Sequence, residues 1–527
     1  MRFFNTAGPV DGRRHYCLPP LTRFDLEDVL LLIQQSKYFV LHAPRQTGKT
    51  SCLLALMEYL NKEGYYRCVY INVELAQAAR EDVAAAMRAI LAQLASRARI
   101  VLNDDFVGSI WAETLTENGP HGAFDEVLTR WSAHDPRPLV LLIDEIDALV
   151  GDTLIAVLRQ LRGGYDKRPL HFPQSVILCG VRDVRDYRIH SASEKTVITG
   201  GSAFNIKAES LRLGDFSRPE METLYRQHTE ETSQVITPEA LAHIWELTQG
   251  QPWLVNALGY ETCFEMKTGR DRSQPITVEQ VEEAKENLIL RRETHLDQLA
   301  DKLQEERVRR VIEPLLAGDM LAEDFLQDDV DYLMDLGLIK QEIGGAIRIA
   351  NPIYQEVIPR ELGWNIQSGM TEQTAWYVEP DGKLHMDKLL AAFQAFFREH
   401  SEHWVERFQY KEAGPQLLLQ AFLQRIVNGG GRIEREYGLG KMRTDLLILW
   451  PYGTHMQKVV IELKVLHKNL EQTLAQGLQQ IGEYMDRCGT SEGQLVIFDR
   501  TPGKPWEEKL YRRQEQLPGK TITVWGM

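Results

Sequence analysis

The sequence predicts an α/β, multidomain fold: a parallel sheet followed by helices, a winged-helix-like middle, and a second α/β domain at the C-terminal end. Three observations predict it. A strand-like apolar run, Tyr38–His42, passes through a short loop into apolar residues at helical spacing from Ser51 to Leu60. A second apolar run, Pro138–Ile143, ends in two adjacent carboxylates, Asp144 and Glu145. Far downstream, Arg443–Trp450 and Gln457–Lys464 read as two strands joined by a turn. At 527 residues the chain exceeds a single hydrophobic core, so three or four domains are expected.

Composition narrows the class. With 43% hydrophobic and 26% charged residues the chain reads as an ordinary globular protein. The N-terminus has no apolar signal region, and the apolar stretch near Leu139–Val150 is broken by Asp144, Glu145 and Asp147, so no membrane span is expected. The six cysteines lie far apart with no CxxC pair, which excludes a zinc knuckle and suggests reduced thiols in a cytoplasm. A formal net charge of −15 argues against coating nucleic acid through general basicity. Acidic and basic residues balance from Thr371 to the end, where Arg425, Arg432, Arg435, Lys441 and Arg443 cluster. Nucleic-acid contact is therefore expected in that last part.

The loop at Ala43-Pro44-Arg45-Gln46-Thr47-Gly48-Lys49-Thr50, with Ser51 opening the helix, has the context of a phosphate-binding loop. Backbone N–H groups and a helix N-terminus present partial positive charge to phosphates. Lys49 adds a full charge, and Thr50 is placed to ligate Mg²⁺. The usual first glycine is Ala43 here, while Gly48, where the backbone must approach phosphate closely, is kept. Asp144 is expected to hold Mg²⁺ through water and Glu145 to polarise the attacking water, which makes ATP with Mg²⁺ the expected cofactor and hydrolysis the expected chemistry.

Cys68–Val73, Ser175–Gly180 and Ser210–Leu213 supply further strands of a doubly wound parallel sheet. Arg182, just past the Ser175 strand, is a candidate γ-phosphate sensor; an ordinary surface arginine in a mixed-charge loop is an equal alternative. Thr248–Asn256, with Gly250 and Pro252, resembles the Gly-x-Pro element in the helical lid of the AAA+ and STAND-related ATPases, particularly the archaeal-type branch. The resemblance covers roughly residues 15 to 265. It implies a P-loop core over residues 1–215, a lid over 216–290, nucleotide contact at Pro252, and adenine cradled near Pro19, Pro20 and Arg23. A trans-acting arginine would imply a homo-oligomer, although no single arginine announces itself.

Residues 291–362 read as helices followed by Asp331–Lys340, a Gly344-Gly345 turn and Ala346–Ala350. That order suggests a winged helix, as STAND-type ATPases often carry after the lid. Five aspartates (324, 328, 329, 331 and 335) on the preceding helix favour a wing that packs and relays state over one that reads a DNA groove. Residues 363–384 read as a linker.

In residues 385–527, period-two alternation puts Glu462 and Lys464 on one strand face, and a hairpin can bring Asp445 beside them. Two carboxylates and a lysine suit metal-assisted hydrolysis, with Asp445 and Glu462 binding Mg²⁺ or Mn²⁺ and Lys464 orienting or deprotonating water. The bare triplet could equally be a solvated hairpin with a salt bridge. The set resembles the PD-(D/E)xK nuclease superfamily, with Thr444-Asp445 in place of Pro-Asp and with Gly438, Gly440 and Arg443 before the aspartate. The resemblance implies a restriction-endonuclease-like fold, an additional metal ligand at Glu412, and a QxxxY element at Gln480 and Tyr484 lining the site.

Together these imply an ATPase whose nucleotide state controls a nuclease acting on nucleic acid, DNA in preference to RNA. Fusions of these two types in bacteria are associated with suspected roles in defence or mobile-element control. The alternative is a STAND-type switch or adaptor whose C-terminal domain binds nucleic acid without cutting it. A helicase or translocase is the weaker third reading, since no helicase motif set accompanies the two nucleotide motifs.

Overall fold

Alternating side chains along each strand of the first sheet reach two different cores. In the computed structural model, Tyr38 and Val40 of β1 (Tyr38–His42) join one buried cluster, whereas Phe39 and Leu41 join the other. The same division holds for β2 (Arg67–Asn72), β3 (Leu139–Asp144) and β4 (Ser175–Gly180), as expected of strands buried on both faces. With β5 (Lys207–Arg212) they form a five-stranded sheet in the order β2-β3-β4-β1-β5, parallel throughout. The structure describes residues 1–183, 188–191, 196–199, 207–291, 294–303, 305–317, 326–341, 346–358, 377–407, 419, 423, 432–436, 445–453, 455–466, 469–499, 501 and 504–527. At some of these, Asp445 among them, the description is of the backbone alone.

The chain divides into two compact units, Met1–His295 with Asp331–Leu338, and Leu296–Val330 with Ile339–Met527. In the first, helices α1 (Leu26–Gln34) and α2 (Lys49–Glu63) cover one sheet face, and α3 (Val83–Leu102) through α6 (Gly151–Gly163) cover the other. Local chemistry sets their starts. The Asp25 carboxylate accepts from the N–H groups of Glu27 and Asp28, and Asp82 accepts from Ala85. Beyond the sheet come α7 (Arg218–Thr232), opened by a Ser217–Glu220 capping box, then α8 (Pro238–Thr248), α9 (Pro252–Tyr260) and α10 (Val278–Leu290). These are the helices expected between residues 216 and 290.

The second unit holds the helix Glu306–Ala317 and an antiparallel ribbon in which Ile339 pairs with Ile349. The helix expected to carry five aspartates spans Gln327–Asp335, and the unit division falls inside it; Asp324 lies outside the described residues. Asp329, 6% exposed, accepts from Arg307 at 3.1 Å, so this carboxylate is spent within the fold. Most of the expected 363–384 linker also lies outside the described residues.

A six-stranded mixed sheet completes the second unit. Its strands are β6 (Arg432–Glu436), β7 (Asp445–Tyr452), β8 (His455–Leu466), β9 (Glu492–Asp499), β10 (Tyr511–Leu517) and β11 (Lys520–Gly526), in the order β6-β7-β8-β9-β11-β10. The hairpin between β7 and β8 is longer than predicted, its pairing reaching Tyr452 and His455, and Gly453 in the turn takes a φ of +54° that suits glycine. The helix Met386–Arg407 supplies Leu389, Leu390 and Phe393 to one face of the sheet, against Ile448, Ile461 and Val496. The helix Leu470–Cys488 supplies Ile481, Tyr484 and Met485 to the other, against Leu447, Val460 and Leu495. Gly477 lets that helix come close, since a Cβ there would sit 2.8 Å from Leu495.

Candidate nucleotide and carboxylate–lysine sites

The loop between β1 and α2 is shaped by its own side chains. Gln46 and Gly48 take positive φ, +58° and +96°, and the Thr47 hydroxyl donates to the Pro44 carbonyl at 2.8 Å. The Lys49 ammonium, 5% exposed, donates to the carbonyls of Ala43 and Pro44, both at 2.9 Å. Glycine is needed at 48, where the backbone is left-handed at the helix start. Ala43 is fully buried and its N–H donates to the Gly180 carbonyl, so no glycine is required at that end of the loop.

Parallel pairing brings Asp144, at the end of β3, level with Asn72 at the end of β2. The Asp144 carboxylate is fully buried and accepts from the Thr50 hydroxyl at 2.7 Å and from the Tyr70 hydroxyl at 3.0 Å. The sequence reading missed Tyr70, because a tyrosine inside a buried strand gives no sign of where its hydroxyl ends. Glu145 stands next in a left-handed conformation, φ +54°. Burial, and then the nearby charges of Asp147 and Asp144, raise its carboxyl above the ordinary glutamate range, while Lys49 and Arg45 pull the other way. An acid so placed is nearer the range in which a carboxylate can accept a proton from water.

Beside the loop lies a cleft of about 710 Å³, including the part open to solvent. Gln46, Thr47, Gly48 and Ser51 line it from the loop side, and Pro252, Trp253 and Asn256 from α9. Pro20 and Arg23 are there as expected, whereas Pro19 is not among the lining residues. Arg23 donates to the carbonyls of Thr47 (3.3 Å) and Gly214 (2.6 Å) and lies over the Phe216 ring. The segment Asn5–Val10 forms another wall that the sequence reading did not foresee; Val10 is tied to the Ser51 hydroxyl at 3.1 Å, and Thr6 accepts from the Trp253 indole at 3.0 Å. Its only sequence signal is a Gly-Pro turn near the N-terminus. Gly250 takes φ +80° where the chain turns into α9, and its carbonyl accepts from Phe216 N–H at 2.8 Å.

In the second unit, Leu446 pairs with Ile461 and Leu447 with Val460, which puts position 445 across from Glu462. Position 445 has the parity of Leu447, and Glu462 and Lys464 the parity of Val460, so all three positions belong to the face under the helix Leu470–Cys488. Glu462 and Lys464 are each 1% exposed and form an ion pair. Gln480 is half-buried on that helix, one turn before Tyr484, which packs against this face. Glu412 lies outside the described residues, as do Gly438, Gly440, Lys441 and Arg443. Among the described residues no group of three or more His, Cys, Asp or Glu is arranged to hold a metal ion.

Comparison with protein families matches residues 26–356 to the model described as an AAA-like domain. The chain belongs to the AAA-like domain family. The solved structures it resembles include a Walker-type ATPase of Pyrococcus abyssi (15% identity, 67% of this chain and 99% of that one, TM-score 0.43). Others are Cdc6p from Pyrobaculum aerophilum (16%, 66% and 95%, 0.36) and Drosophila ORC bound to DNA (12%, 66% and 87%, 0.35). At these scores the likenesses carry no further argument. No curated protein matches the chain. The matched span includes the phosphate loop, Asp144, Glu145 and the helices between residues 216 and 290, and leaves the Asp445, Glu462 and Lys464 positions outside it. Among the described residues, no helix is long and apolar enough to cross a membrane.

Proposed function

We propose that the AAA-like domain binds and hydrolyses ATP with Mg²⁺, and that its nucleotide state controls metal-dependent cleavage of nucleic-acid phosphodiesters in the C-terminal domain. For the first half, the Thr50 hydroxyl and Asp144 carboxylate, 2.7 Å apart, form an oxygen donor pair that suits Mg²⁺ beside the phosphates. Lys49 and the N–H groups of the loop would hold the phosphates, and Glu145 would align water.

The observation that carries the second half is the register that sets position 445 across from Glu462, with Lys464 two residues on along the same strand. Hard oxygen ligands on adjacent strands suit Mg²⁺ or Mn²⁺, and Lys464 would orient the attacking water. Glu412 and Gln480 would complete the site, with DNA the preferred substrate. Incubating the chain with DNA and with RNA, with Mg²⁺ or Mn²⁺ and with or without ATP, tests this. Cleavage that is lost in Asp445→Ala and altered in Lys49→Ala is expected; no cleavage, or cleavage undiminished in Asp445→Ala, refutes the nuclease.

One observation favours a second reading, an ATP-dependent switch or adaptor with a silent C-terminal domain. Glu462 and Lys464 are almost wholly buried and paired, as in a structural ion pair. Nucleic acid bound without being cut, in either metal, would decide for it.

A further inference from the structure

In the sheet order β2-β3-β4-β1-β5, strand β4 lies between β3, which ends in Asp144, and β1, which leads into the phosphate loop. Whatever follows the C-terminal end of β4 therefore stands between the two nucleotide elements. Arg182 follows by two residues, yet its guanidinium is already engaged. Its Nε lies 3.3 Å from the Asp335 carboxylate, and its planar head lies over the Tyr332 ring, 4.9 Å from the centroid. The side chains of Arg182 and Asp335 are only 12% and 14% exposed. Asp335 belongs to Asp331–Leu338, a short segment counted with the first unit although it is more than a hundred residues past the last strand of the first sheet.

That segment touches the catalytic edge of the sheet at several places. His42, the last residue of β1, has its ring Nδ1 3.8 Å from Asp335. Arg212, the last residue of β5, donates to the Met334 carbonyl at 2.7 Å. Gly337, with φ +73°, turns so close to the loop that a Cβ would meet Pro44 at 2.7 Å. We propose that Asp331–Leu338 is a latch that withholds Arg182 from the nucleotide, and that the γ-phosphate opens it by competing with Asp335 for the guanidinium. The inference rests on ATP binding at the phosphate loop.

One guanidinium clamped by a carboxylate cannot also bind phosphate with full strength, since both anions want the same planar donors. ADP has no group at the γ position and leaves the latch closed. ATP must supply the free energy of breaking the Arg182–Asp335 pair, so its apparent affinity is lowered by the fraction of chains in which the latch is open. Removing the charge on Asp335 removes that handicap for ATP alone.

Isothermal titration of the full chain with Mg²⁺ and either ADP or a non-hydrolysable ATP analogue tests this. Asp335→Asn should strengthen analogue binding about tenfold and leave ADP unchanged. Arg182→Gln, alone or combined with Asp335→Asn, should show no such gain. Tyr332→Leu, which loosens the guanidinium without touching the carboxylate, should move in the same direction by less, and serves if Asp335→Asn does not fold. The latch is refuted if the variants leave the analogue-to-ADP ratio unchanged, shift both nucleotides together, or if the double variant keeps the gain. A wild-type chain that binds both nucleotides but releases no phosphate refutes hydrolysis and leaves the latch to the binding ratio. A chain that binds neither refutes both.

Discussion

Tyr70→Phe isolates one hydrogen bond at the centre of the nucleotide site. Tyr70 is 3% exposed, and its hydroxyl donates at 3.0 Å to a carboxylate that is itself fully buried. Phenylalanine keeps the ring and its packing, so the perturbation is the loss of one donor from Asp144. A hydrogen bond to a charged acceptor contributes about 1.5–3 kcal/mol, at the upper end when the acceptor cannot turn to water. Asp144 keeps Thr50 at 2.7 Å and the Glu145 N–H at 3.0 Å, so the carboxylate stays in place and the loss remains near that range. For a unit of this size, that is a fall of about 2–5 °C in the midpoint of its unfolding transition. Thermal unfolding followed by circular dichroism, without nucleotide, reads it directly. Mg²⁺–ATP affinity should change by less than about tenfold, because Thr50 and Asp144 both remain. A midpoint within about 1 °C of wild type would show that the Tyr70 hydroxyl does not hold Asp144.

Three further expectations address the rest of the first unit. Glu145→Gln should lower ATP turnover by about 10²–10⁴-fold; because burial and its acidic neighbours raise the Glu145 carboxyl, wild-type turnover should fall with decreasing pH at a midpoint above that of ordinary glutamate, and a pH profile without that limb refutes the assignment. Gly250→Ala should cost about 2–4 kcal/mol, since a Cβ would sit 2.0 Å from the Phe216 carbonyl oxygen at φ +80°, and should weaken nucleotide binding through Pro252 and Trp253; a stable variant with normal binding contradicts it. Burial pushes His295 down to about 4, so the unfolded chain takes up its proton near pH 6.5 and the folded chain only near pH 4. Stability present above pH 6.5 should therefore drain by about 3 kcal/mol as pH falls through that window, and His295→Phe, which keeps the stack on Trp253, should flatten the slope; parallel pH profiles would exclude His295 as the cause.

What could be read in advance was whatever repeats at short range. The β1–loop–α2 order, the β3 carboxylates and the β7–β8 hairpin each lie within about twenty consecutive residues, and each is where the alternation of side chains put it. The turn into α9 was legible through Gly250 and Pro252, because a left-handed turn and a helix start each demand a residue type. Contacts between distant segments were not legible. Nothing in Asn5–Val10 announces that it walls a cleft against Trp253, and nothing in an acidic helix says that Asp335 will meet Arg182 while Asp329 meets Arg307. Those five aspartates count in the sequence only as charge unsuited to a helix that reads a DNA groove, whereas two of the side chains, Asp329 and Asp335, are spent on separate arginines. Nor does the sequence around Arg182 show that its side chain is only 12% exposed and paired with Asp335.

The resting position of Lys49 bears on which anions can enter. Its ammonium is already satisfied by the Ala43 and Pro44 carbonyls, so this lysine is not a loose positive charge waiting for any passing anion. A single sulfate or inorganic phosphate would have to displace two good acceptors and would gain little beyond them. A polyphosphate chain can occupy the loop's N–H groups along its length and draw the lysine over as part of a larger exchange. On the proposed reading, the lysine is thereby expected to favour a chain of phosphates over a single small anion.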